Sequence, residues 1–82
     1  DRRLERMLRE FYRSIAEVEA ENIRLGIRLG IFRDVDPLVC AYAHIGMIER
    51  VALAFHSERP SLAPEALAQQ LLSIGYEGLR RR

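Results

Sequence analysis

"GIFRDVDPLVCAYAHIG", residues 30–46, is the stretch on which the fold turns. Upstream of it almost every helical turn carries a formal charge, whereas no Asp, Glu or Arg occurs from Pro37 to Ile48 and His44 is the one basic side chain there. Asp36-Pro37 is a helix start signal: a carboxylate accepts from the free amides of a first turn, and proline, with fixed φ and no N–H, suits the first helical position. The pattern predicts a break at "RDVDP" and a helix from Pro37 to about His56.

Upstream, apolar side chains fall at Leu4, Leu8, Phe11, Ile15 and Val18, then Asn22, then Leu25 and Leu29. Steps of four and three trace one face of a helix over about residues 2–30. Arg2, Arg6, Arg9 and Arg13 share another face, with Glu5, Glu10, Glu17, Glu19 and Glu21 mixed among them. That surface reads as solvated and nearly neutral, not as a basic stripe for nucleic acid. Gly26 and Gly30 weaken the end of this helix, each by about 1 kcal/mol relative to Ala, and their spacing also suits close approach of another element.

The second helix is apolar nearly all round. Leu38, Tyr42, Ile45 and Leu53 lie near one side, and Cys40, His44, Met47, Ile48, Val51 and Phe55 near the opposite one. A helix of this kind is buried on more than one face. Two sibling helices cover only part of it, so a partner is expected. Downstream, "SERPSLAP" is a polar, proline-bearing joint, and Pro64 opens a third helix over about 64–81. Its apolar face holds Leu67, Leu71, Leu72, Ile74, Gly75 and Leu79, with Gln69, Ser73, Tyr76 and Glu77 opposite; Arg80, Arg81 and Arg82 complement the negative end of its dipole.

Composition bounds the chemistry. All thirteen basic residues are arginine, so lysine-dependent chemistry such as Schiff-base formation is excluded. Cys40 is alone, which rules out an internal disulfide, and no Cys/His spacing suits zinc; neither a metal nor a cofactor is expected. The longest run without Asp, Glu or Arg is about twelve residues against the roughly twenty of a membrane span, so no membrane is expected and a reducing cytoplasm is the simplest setting. Eighty-two residues at 49% hydrophobic, 30% charged and net charge +1 form at most one small domain. The chain begins as though entered partway along a helix. His44 and His56 have no acidic or nucleophilic residue at catalytic spacing, so no catalytic residues are assigned and an enzyme is not expected.

From "RLGIRLGIFRDVDPLVCAYAHIGMIERVALAF" onward the chain resembles the C-terminal region of TetR-family transcriptional regulators. The matching residues are Gly30-Ile31-Phe32-Arg33, Asp36-Pro37, Ala41 with Ala43 and Gly46, and Gly78-Leu79-Arg80; Ala63 departs from the pattern where a capping Asp is common. The resemblance implies an all-α, three-helix fragment, a long helix followed by an antiparallel pair, whose last two helices form a four-helix-bundle dimer interface. It implies a homodimeric, effector-sensing domain of a one-component repressor, reaching DNA only through an upstream helix-turn-helix domain. The interface is expected at Tyr42, Ile45, Gly46, Glu49, Leu53, Leu67, Leu71, Ile74 and Gly75. Asn22, His44 and Met47 are candidates for one wall of a small-molecule pocket. The alternative is a helical coiled-coil or protein-interaction module without a small ligand, in which Asn22 fixes register along the long helix.

Overall fold

A computed structural model describes residues 1–58 and 61–81; Arg59 and Pro60 of the second joint and Arg82 of the terminal arginine run lie outside the described residues. The chain is all-α, with α1 at Arg2–Arg28, α2 at Pro37–Glu58 and α3 at Pro64–Leu79. Asp1 caps α1 by accepting from the Arg3 amide at 2.9 Å. Asp36 caps α2 as the sequence predicts: its Oδ1 accepts from the amides of Leu38 at 2.9 Å and Val39 at 3.1 Å. Pro64 opens α3 behind Ala63, which makes no side-chain cap bond.

The end of α1 explains both of its glycines. The Gly30 amide donates to Ile27 O and the Ile31 amide to Gly26 O, the paired bonds of a Schellman motif, and Gly30 supplies the positive φ of 76° that the motif requires. The turn throws Phe32 back onto Gly26, where any Cβ would overlap the aromatic ring.

A clasp then joins this turn to the far end of α3. The Arg33 amide donates to Leu79 O at 2.8 Å, the Arg81 amide to Ile31 O at 2.9 Å, and Arg33 Nε to Gly78 O at 2.9 Å. The carbonyls left free at the end of a helix are thus met by backbone and by a guanidinium. Arg80 is already extended and Phe32–Arg80 form an isolated antiparallel bridge. α3 ends at Leu79, so Arg80, its C-cap, and Arg81 stand just past the helix end, where the Arg81 amide straps it to the α1–α2 turn. The GIFR and GLR residues that carry the family resemblance therefore meet in one place.

α2 runs antiparallel to α1 but does not pack on the apolar stripe. The buried residues of α1 are Ala16, Ala20, Ile23 and Gly26, and Ala41, Leu38, Cys40, Ile45 and Ile27 gather round them. Stripe residues Leu4, Leu8, Phe11, Val18, Leu25 and Leu29 remain exposed, Val18 to 67%. The reason lies in a second track. Arg2, Arg6, Arg9, Arg13, Ala16, Ala20, Ile23 and Ile27 follow the same steps of four and three, two residues out of phase and so about 160° round the helix. In its second half this track offers small side chains that let a helix backbone approach; in its first half arginines hold that face in water.

The resulting body is a slab. Its principal extents are 38 × 36 × 14 Å, so one dimension is less than half of either other. Ala41 is the one buried residue of α2, and α3 adds Leu71 and Leu79. By length and a mean hydropathy of 1.5, α2 also qualifies as a candidate membrane span, although the uncharged run within it is shorter. Glu49 and Arg50 interrupt its middle, and Glu49 accepts from Tyr12 OH of α1 at 2.6 Å.

Candidate functional site

Two polar bonds set the rotation of α2 against α1. Tyr12 and Glu19, two turns apart on α1, meet Glu49 and His44 of α2: Tyr12 OH donates to Glu49 Oε2, and His44 Nδ1 lies 2.6 Å from Glu19 Oε1. The bond to Glu49 raises the Tyr12 phenol above its ordinary range, because the neighbouring carboxylate accepts its proton and opposes a second negative charge. Ile45 and Glu49 consequently face α1. Ile45 is packed against the core of its own chain while Glu49 stays exposed beside Tyr12; a helix apolar on all sides has no periodicity to reveal which side a sibling takes.

His44 is the centre of the arrangement. Its ring presents an edge to Tyr76 at a centroid distance of 5.7 Å, and Tyr76 stacks on Phe32 at 5.9 Å. Tyr76, expected on the polar face of α3, is exposed and rests one side of its ring against His44 and Phe32. Partial burial, with the charge of Glu19 second, pushes its phenol above the ordinary range. His44 Nε2 points between Cys40 Sγ, 3.8 Å away, and Gly75, where an added Cβ would stand 3.2 Å from it. Glycine at 75 keeps that space open.

Cys40, His44 and Glu19 therefore stand in the order nucleophile, base and carboxylate. The expectation that no acidic or nucleophilic residue lies within reach of His44 is corrected. The i, i+4 spacing of Cys40 and His44 on one helix was legible; the arrival of Glu19 from α1 was not. Burial and the Glu19 charge push the Cys40 thiol up, with Arg33 opposing, which favours the thiol over the nucleophilic thiolate. Nearby amides of α2 are spent: those of Leu38 and Val39 on Asp36 Oδ1 and that of Cys40 on Asp36 O. An oxyanion has no donor among them.

Between α2 and α3 runs a groove of about 390 Å³, lined by Met47, Ile48, Ala52, Leu67, Ala68, Leu71 and Leu72, with Glu19, His44, Gly75 and Tyr76 at one end and Pro64 at the other. It mixes the two lists drawn from sequence. Leu67, Leu71 and Gly75, expected at a dimer interface, share it with His44 and Met47, expected at a pocket wall. Asn22 does not reach it: that residue is exposed and lines a shallower hollow with Ile15, Val18, Glu19 and Tyr76. Of the expected interface residues, Tyr42, Gly46 and Leu53 do remain outward on α2, joined by Val39, and Ile74 is exposed on α3. A Cβ at Gly46 would meet nothing within 4 Å.

No protein-family model matches the chain, and neither a curated protein nor a solved structure matches it.

Proposed function

We propose that this chain is the dimerising, effector-sensing domain of a TetR-like, cytoplasmic one-component transcriptional regulator. The observation that carries the reading is the slab itself. A layer 14 Å thick with Val39, Leu53, Leu72 and Ile74 uncovered on α2 and α3 leaves apolar area that a stable chain covers with another protein surface. A second copy meeting the outward face of α2 at Val39, Tyr42, Gly46 and Leu53 supplies that cover. The interface is then isologous, each helix packing on its own image. The clasp of Phe32, Arg33 and Leu79 supports the reading further, since it gives the GIFR and GLR residues a joint purpose: fixing the angle of the last helix.

In the intact regulator a ligand acts by population shift, favouring one separation of two DNA-reading heads through its differential affinity for that state. The α1 stripe is the natural seat for the helices linking domain and heads. That stripe also favours a second reading, a coiled-coil interaction module: its unbroken steps of four and three, with Asn22 in an inner position, are exposed in the structure, as a free coiled-coil seam is.

Gly46→Leu separates the two. The free chain has room for the side chain, and helix propensity favours it, so monomer stability is kept or raised. A partner helix against Gly46 is pushed off, and dimer dissociation rises by about tenfold or more, the equivalent of 1–3 kcal/mol of overpacking. Sedimentation equilibrium of wild type and variant reads this directly. An unchanged dimer places the contact on the α1 stripe instead.

A further inference from the structure

The groove between α2 and α3 carries an unused polar end, and its chemistry selects a ligand. Its volume of about 390 Å³ falls in the range of small-molecule sites and is too small for an inserted helix. Within that apolar trough Glu19 is the one formally charged lining residue. Its carboxylate lies 2.6 Å from His44 Nδ1; with the Nδ1 proton on that bond, the neutral imidazole offers its Nε2 lone pair as an acceptor. That lone pair has only the distant Cys40 thiol near it and opens toward the side where Gly75 lacks a Cβ. With His44 at 12% and Glu19 at 22% side-chain exposure, both are reached from the groove and shielded from bulk water. Negative charge at this end repels an anion, while an acceptor waits for a proton donor.

We propose that the groove binds an apolar small molecule bearing one hydrogen-bond-donating head, a hydroxyl or an amine, with the head on His44 Nε2 beside Glu19 and the apolar body along Met47 and Leu71. The proposal deepens the effector-sensing part of the function proposed above and gives that effector a chemical class. Anionic amphiphiles of the same length are rejected. Tyr76 forms the aromatic wall at the head and links an occupied groove to Phe32 and the clasp.

Calorimetric titration of the full chain with 4-octylphenol, decylamine and decanoate tests this. The phenol and the amine bind, and decanoate binds at least about tenfold more weakly, because a like charge beside Glu19 is costly. In Glu19→Gln the gap between amine and decanoate closes to about threefold or less. Gly75→Leu removes binding of all three by filling the space before Nε2. Ala68→Trp, on the exposed rim of the groove, does the same without touching the His44 end and serves if Gly75→Leu does not fold. Equal affinities for the three heads in wild type, binding that survives Ala68→Trp, or absence of binding by any probe overturns the proposal. Sedimentation of the same samples keeps the outcomes separate: a monomer that discriminates the heads removes the dimer but not the site, and a dimer that does not discriminate removes the site but not the dimer.

Discussion

The two long tracks of α1 differ in every respect except their spacing. One carries Leu4, Leu8, Phe11, Ile15, Val18, Leu25 and Leu29 and faces water; the other passes from four arginines to Ala16, Ala20, Ile23 and Ile27 and receives α2. A search for the most hydrophobic face selects the first. The chain packs on the second because helix backbones approach closely over alanine, and because Tyr12 and Glu19 beside it find Glu49 and His44. The most conspicuous apolar pattern of this small domain thus stays outside its own core.

Breaking the contrast at its tightest point gives the largest effect. Gly26 closes the packed track, and a methyl there collides with the Phe32 ring. Gly26→Ala displaces the ring, and with it the turn and the clasp, at a cost of about 2–3 kcal/mol. Thermal denaturation shows the loss, and a melting temperature within a degree of wild type refutes the seating of Phe32.

The next effect compares the tracks directly. Ala20, fully buried, has no room for a larger side chain, and Ala20→Leu costs about 1–3 kcal/mol. Val18→Ala, two residues away on the exposed track, stays within about 0.5 kcal/mol. Urea midpoints measured at matched low concentration give both values. Equal losses for the two variants mean that both faces are packed within one chain.

A smaller effect is pH dependent. Burial and Glu19 hold the folded Cys40 thiol above its ordinary range, while the unfolded thiol ionises near about 8.5. The folded state keeps a proton that the unfolded state releases. The stability this contributes is therefore complete below the unfolded value and is lost as pH rises toward the folded one. In reducing buffer the urea midpoint falls between about pH 8 and pH 10, and Cys40→Ala flattens that fall relative to its own neutral-pH value. Identical slopes remove the thiol as the cause.

The helices were legible because each is announced locally: α1 by its period, α2 by Asp36-Pro37, α3 by Pro64. The ends observed, Arg28, Glu58 and Leu79, fall within two residues of those expected. Rotation was not legible for α2, whose apolar residues surround it. Ile45 was consequently placed outward when it packs against the α1 core, whereas Met47, placed on a pocket wall, does line the groove. Tyr76 is exposed as expected, but its contacts with Phe32 and His44 were not legible, because Phe32 is delivered by the turn at Gly30. The change from Arg13 to Ala16 along the second track was a signal in plain view. It marks where solvent ends and α2 begins, and it is seen only when a charged pattern is followed as carefully as an apolar one.

Whether a second copy covers the slab is read most directly from the mass of the untouched chain. Sedimentation equilibrium over a hundredfold range of protein concentration is expected to return twice the 9.5 kDa chain mass throughout the upper part of that range. A single-chain mass at every concentration, with α2 still folded by circular dichroism, contradicts it.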